Sequence, residues 1–192
     1  MGSEAAFDSL LNAMKHAAGL MRDHRIPFAL AGSLAIYAHG GPGSDHDVDF
    51  IVKPEDAERA LAAFGENGWR CDRPPEGWLY KVYDEQDAMI DLIFAPNHKP
   101  VDDEMLDRAE ELEVYAIMMK VMSVTDVLAT KLLALKEHEV DYDPVLEVAR
   151  ACREQIDWDI LRERTGDYPY AKAFFTLAEE LGLMDQPATR RS

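Results

Sequence analysis

Phe28-Ala29-Leu30-Ala31-Gly32-Ser33-Leu34-Ala35 and, with thirteen residues intervening after Ser33, Asp47-Val48-Asp49-Phe50-Ile51-Val52 are the stretches whose reading decides the fold. Phe28 to Ala31 is a short apolar run that enters Gly32-Ser33, and the chain continues as a small helix from Leu34 to about His39. The unit is strand, Gly-Ser turn, helix. The β-branched and aromatic content of Asp47 to Val52 predicts a second strand, on which two aspartates two residues apart leave the same face.

Outward from this center, Phe7, Leu10, Leu11, Met14, Ala17, Ala18 and Met21 recur at spacings of three and four, which predicts an amphipathic helix over Ala5 to Met21 that Pro27 ends. Pro54 suits a first helical turn, and Ala57, Ala60, Leu61 and Phe64 predict a helix closed by Gly65 or Gly68. Strands follow over Trp78 to Tyr83 and Ala88 to Phe94, joined by Asp84-Glu85-Gln86-Asp87. Asp102 to Glu113 is dense in acids and reads as a solvated helix face or loop. From Thr125 onward the pattern is helical, so the chain divides near residue 123 into a sheet domain over 1–123 and a helical domain over 124–184, with a tail over 185–192.

At 192 residues and 47% hydrophobic, the chain buries a real core and is not disordered. Its 37 acidic against 20 basic residues give a formal net charge of -17, which disfavors a general affinity for nucleic-acid phosphates or an anionic membrane. A cationic or metal-bound ligand fits that balance better. Cys71 and Cys152 are too few for a disulfide framework and lack zinc-site spacing. Glu4, Asp8, Lys15 and Arg22 interrupt any secretory apolar run, and the uncharged stretch Ile26 to Ser44 is broken by Pro27, Gly32, Gly40, Gly41, Pro42 and Gly43, so the expectation is a cytoplasmic chain without a membrane span.

The chemistry gathers on three acids and one turn. Asp47 and Asp49 are hard-oxygen groups that repel when both are ionized, and a divalent cation is the usual reason to keep both charged in one place. Asp91 stands in Ala88-Met89-Ile90-Asp91-Leu92-Ile93-Phe94, so apolar a run that the carboxylate must be paired, coordinated or protonated. Gly32 allows close backbone approach to a ligand, and the helix after it offers free N–H groups to a phosphate. His46 reads as a surface residue or a support for the metal aspartates. Trp78, Tyr80 and Tyr83 read as core or cleft-wall packing.

Taken together, the Gly-Ser turn, the spacer, the apolar-flanked Asp-x-Asp and the later buried acid resemble the nucleotidyltransferase superfamily of DNA polymerase beta fold over about residues 28–94. Ala29 to Ala35 and Asp45 to Phe50 are most similar to minimal bacterial members, the AbiEii and MenT-type toxins and the antibiotic nucleotidyltransferases. More loosely, Leu128 to Leu135 with Lys131, followed by Asp141-Tyr142-Asp143, resembles the Lys-containing helix and downstream Asp of the toxin-type members. The implied fold is α+β, a small mixed sheet flanked by helices and followed by a C-terminal helical region.

The resemblance implies a Mg2+-dependent enzyme that moves a nucleoside monophosphate from an NTP to an acceptor hydroxyl with release of pyrophosphate. Two Mg2+ ions would be held by Asp47 and Asp49, with Asp91 binding the catalytic ion and activating the acceptor. Gly32 and Ser33 would bind the triphosphate. Many members carry a basic residue shortly before the first aspartate, where this chain has Pro42-Gly43-Ser44-Asp45-His46; Lys131 is the candidate to supply that charge. The leading expectation is a toxin-type enzyme acting on tRNA and paired with an antitoxin, with Asp143 in a supporting role. One alternative is an antibiotic nucleotidyltransferase whose acceptor is an aminoglycoside or lincosamide. Another is a non-catalytic NTP-binding or partner-binding protein of the same fold.

Overall fold

The computed structural model describes residues 2–42 and 47–184. The chain forms two compact units by contact, residues 1–38 with 43–123, and residues 39–42 with 124–192. The first is built on a seven-stranded mixed sheet. Its strands are β1 (Phe28–Ala31), β2 (Val48–Val52), β3 (Arg70–Asp72), β4 (Leu79–Tyr83), β5 (Met89–Ile93), β6 (Glu110–Val114) and β7 (Ile117–Val121), in the order β3-β4-β5-β2-β1-β7-β6. β1 and β2 are antiparallel, β2 and β5 parallel, and β1 and β7 parallel; the outer pairs β3-β4, β4-β5 and β6-β7 are antiparallel.

Helix α1 (Gly2–Asp23) buries the apolar stripe read from its periodicity, with Met14, Ala17, Ala18 and Met21 removed from solvent. It packs on α3 (Pro54–Glu66) and over β5, while α3 covers β3 and β4. Pro54 lies in the first turn of α3 with Glu55 and Asp56, where its missing N–H costs nothing and the acids meet the positive end of the helix. Asp56 is buried and accepts from Arg59, whose guanidinium also donates to the carbonyls of His24 and Arg25 and so ties α3 to the turn leading into β1. Val48, Phe50, Val82, Ile90 and Leu92 are buried on the central strands. The short helix α2 (Gly32–Ala38) follows β1 directly and touches β1, β2 and β6.

The mixed α+β architecture is the one the sequence implies, and the acid-rich segment is where it differs from expectation. Asp102 caps α4 (Asp103–Asp107) by accepting from the Met105 N–H, and Glu110 to Val114 then form an edge strand paired with β7. The acids on β6 are mostly exposed, as an edge strand needs if it is not to recruit another chain. The β6-β7 turn places Tyr115 and Ala116 at positive φ (49° and 67°), the geometry of a tight hairpin turn that normally selects Asn-Gly. Tyr115 stacks on Tyr37 with ring centroids 5.8 Å apart, and its hydroxyl is buried. Burial, with the Tyr37 hydroxyl alongside, pushes that phenol up to about 12.

The second unit is helical: α5 (Val124–Ala134), α6 (Asp143–Ala151), α7 (Trp158–Thr165) and α8 (Pro169–Glu180). Its core contains Leu128, Leu132, Leu161, Ala171, Phe174 and Ala178. Asp126, in the first turn of α5, is buried and ion-paired with Arg164 of α7, and the Thr125 hydroxyl accepts from the Asp157 N–H at 2.9 Å. Among the described residues, no helix is long and apolar enough to cross a membrane.

Candidate active site

Of the acids predicted from sequence, Asp49 on β2 and Asp91 on β5 lie side by side, with β1 on the other flank of β2. Antiparallel pairing sets Ala31 opposite Asp49, and parallel pairing sets Asp49 beside Asp91. On β4, Lys81 lies opposite Asp91, so Ala31, Asp49, Asp91 and Lys81 form one row across four strands and share a face of the sheet. Asp47 immediately precedes β2. It lies two residues from Asp49 and close enough to Asp91 to influence its ionization. His46 lies outside the described residues.

Gly32 occupies the first position after β1 with φ +59°. A Cβ there would stand 1.8 Å from Asp49 Oδ2 and 2.8 Å from its Cγ. A side chain there would require the Asp49 carboxylate to shift while the backbone held a left-handed φ. The neighbor this glycine makes room for is the Asp49 carboxylate itself, which explains in steric terms why Gly-Ser accompanies Asp-x-Asp. Ser33, half-buried, opens α2 beside it.

Asp91 is buried at 7% relative exposure, and the structure resolves the three alternatives its sequence setting left open. It is paired: the Lys81 ammonium donates to Oδ1 at 2.8 Å and to Oδ2 at 3.0 Å, and approaches Met89 Sδ at 3.5 Å. Burial pushes the Asp91 carboxyl above its ordinary range; the hydrogen bonds and charge of Lys81 oppose that rise and the charge of Asp47 adds to it. For Lys81, burial disfavors the ammonium, but the bonds and charge of Asp91 outweigh it and hold the proton more firmly than on a free lysine. Lys81 is a site residue that periodicity does not reveal. The only signal for it in the sequence is a lysine on the strand predicted to pair with the Asp91 strand.

The donor set suits a hard divalent cation: Asp47 and Asp49 supply carboxylate oxygens two residues apart, and the Gly32 backbone leaves the Asp49 carboxylate room. Among the described residues, no three acids, histidines or cysteines converge on a single point, because both Asp91 oxygens face Lys81. The other predicted residues, Lys131 on α5 and the exposed Asp143 at the start of α6, belong to the helical unit. Tyr80 donates to Glu58 at 2.7 Å and packs against Phe94, while the Tyr83 ring lies 3.6 Å beneath the Arg70 guanidinium.

Comparison with known proteins agrees with the fold. No curated protein matches the chain in sequence. The solution structure of the antibiotic-resistance factor ANT(2'')-Ia is similar with a TM-score of 0.62 at 12% identity, covering 91% of this chain and 99% of the other. The crystal structure of ANT(2'')-Ia in complex with adenylyl-2''-tobramycin has a TM-score of 0.61 at 13% identity, over 86% of this chain and 99% of that one. The lincosamide antibiotic adenylyltransferase LnuA, lincomycin-bound, has a TM-score of 0.52 at 10% identity, over 70% and 91%. At these identities the likeness is one of fold. A family model described as uncharacterised nucleotidyltransferase matches residues 9–183, nearly the whole chain and both units. The chain belongs to this nucleotidyltransferase family.

Proposed function

We propose that this enzyme transfers a nucleoside monophosphate from an NTP to a hydroxyl of a small molecule, and that Asp47, Asp49 and Asp91 carry the reaction. The observation behind this reading is the register that sets Asp49 beside Asp91 on parallel strands with Gly32 closed against the Asp49 carboxylate. Asp47 and Asp49 would hold Mg2+ with the triphosphate, and Gly32 and Ser33 would border the phosphates. The ions, when bound, supply neutralization of the attacking and leaving oxygens at the α-phosphorus. Asp91 would take the acceptor proton as the acceptor oxygen bonds to phosphorus and the bond to the β-phosphate oxygen breaks, releasing pyrophosphate. Burial lifts its carboxyl toward the range in which a carboxylate accepts a proton.

Two features support a small acceptor over tRNA. The net charge of -17 disfavors approach by a polyanion, and the solved structures of like fold act on antibiotics. In addition, three basic residues on β3, β4 and the segment between them are engaged by acids rather than left for a polyanion: Arg70 by Asp87, Arg73 by Glu58 and Lys81 by Asp91. The tRNA reading rests on the looser resemblance around Lys131 and Asp143 and has its own outcome in the test.

That test incubates the protein and its Asp47→Ala and Asp49→Ala variants with Mg2+ and each labeled NTP in turn, against aminoglycosides, lincosamides and total tRNA. Label on a small molecule, reduced roughly 100-fold or more in each variant, is the expected result. Label on tRNA would replace the small acceptor with a toxin-type one. Label on neither, with every NTP, would leave the non-catalytic reading in place of both.

A further inference from the structure

The function proposed above treats Asp91 as one of three acids available to divalent ions. In the structure its carboxylate already has a cation. Lys81 Nζ stands between both oxygens at 2.8 and 3.0 Å, the position from which one positive charge neutralizes a carboxylate most completely. The pair is partly withdrawn from solvent, with side-chain exposures of 26% for Lys81 and 11% for Asp91, so its attraction is only weakly screened. Strand pairing determines the contact. β4 and β5 set Lys81 directly opposite Asp91, and the flanking pairs Val82 with Ile90 and Tyr80 with Leu92 fix the register through side chains that are mostly buried. The ammonium is therefore built into the sheet.

Asp49, one strand further, shares the same row, and Asp47 adds its negative charge to the surroundings of both Lys81 and Asp91. At Asp91 a divalent ion must compete with an ammonium that the sheet holds against both carboxylate oxygens, so of the three acids it is the one where the ion has a fixed cation to displace.

We propose that Lys81 is a positioning residue that occupies the cation place of Asp91, so that a divalent ion binds first at Asp47 and Asp49 and engages Asp91 only by displacing the ammonium. The inference rests on the assignment of the three acids to the site, but not on turnover. Removing Lys81 while keeping Asp91 leaves a buried carboxylate without a counter-charge, and such a group takes up a metal ion if one is near.

The experiment uses Mn2+ alone as the probe, titrated into the full chain with free Mn2+ read from its electron paramagnetic resonance signal. Asp91→Asn in the otherwise unchanged protein removes one charge but no ligand of the ion, so it is expected to weaken Mn2+ binding far less than Asp49→Asn does. Lys81→Met is expected to add an Mn2+ site or tighten binding roughly tenfold, and Asp91→Asn in that background is expected to abolish the gain. Lys81→Gln gives the same comparison with a polar side chain. If the Lys81 variants fail to fold, the comparison of Asp91→Asn with Asp49→Asn decides alone.

The proposal is overturned if Asp91→Asn weakens Mn2+ binding as much as Asp49→Asn does in the wild-type background. It is equally overturned if folded Lys81→Met or Lys81→Gln binds Mn2+ as wild type does, including the case in which none of them binds it. Loss of binding in Asp47→Ala together with absence of nucleotide transfer would count against the proposed reaction while leaving the role of Lys81 standing.

Discussion

At Gly32 a single hydrogen atom in place of a methyl group decides whether the site exists. The added carbon of Gly32→Ala would fall 1.8 Å from Asp49 Oδ2, and the φ of +59° is itself unfavorable for an L side chain. Asp49 has to move, and it is paired through the backbone with both Ala31 and Asp91. Gly32→Ala is expected to lower stability by about 2 kcal/mol in a urea melt and nucleotide transfer by roughly 100-fold, the usual consequence of misplacing a reacting group by about an ångström. Ser33→Ala, which introduces no clash of this kind, serves as the control. A Gly32→Ala protein of wild-type stability and activity would show that the Asp49 carboxylate has no fixed place. The glycine was legible in the sequence as a turn residue that allows close approach, but its partner was not. The partner comes from a strand sixteen residues further on in an antiparallel register that no local pattern states.

Among the elements, the β6-β7 hairpin was the least legible. Glu110-Glu111-Leu112-Glu113 carries too little apolar content to suggest a strand, and Tyr115-Ala116 lacks the Asn or Gly that marks a tight hairpin turn. What holds it is pairing with β7, which itself lies beside β1, and the stacking of Tyr115 on Tyr37 of α2. Ala116 sits at φ 67° with an exposed side chain. Ala116→Gly relieves the left-handed strain and is expected to stabilize the fold by up to about 1 kcal/mol in thermal or urea unfolding, with transfer activity unchanged. A destabilized Ala116→Gly protein would mean that the turn is held by contacts of the alanine methyl. The elements of the sheet unit that were legible, α1, β1, α2, β2, α3, β4 and β5, are those with an apolar period or run bounded by turn residues. β3, only three residues long, shows none.

For the molecule as a whole, the charge of -17 is the property that reaches furthest. Like charges repel more in the compact state than in the expanded one, so screening them favors folding. Raising NaCl from about 10 mM to about 100 mM shortens the screening length from about 30 Å to about 10 Å, and the melting temperature is expected to rise by a few degrees. A melting temperature that falls with salt would indicate that favorable ion pairs, such as Lys81 with Asp91 or Arg164 with Asp126, outweigh the general repulsion. The same surplus of acid bears on the choice between a small acceptor and a polyanionic one.

The sequence by itself determined that Asp49 and Asp91 would each stand on a strand and Gly32-Ser33 at a strand-to-helix turn, because each signal is local: a β-branched run, an apolar run, a residue type at a turn; that the two strands are neighbors was only what the family resemblance implies. It also determined that a buried Asp91 could not stand alone, since an isolated charge in an apolar strand is too costly to keep. Only the tertiary structure decided the partner. Lys81 reaches Asp91 because β4 returns antiparallel beside β5 in one particular register, and a shift of a single residue would turn the lysine to the other face of the sheet. Register is set by the packing of side chains across strands distant in sequence, and for that reason the counter-charge of the third acid, unlike the acid itself, lay beyond any reading of the chain in one dimension.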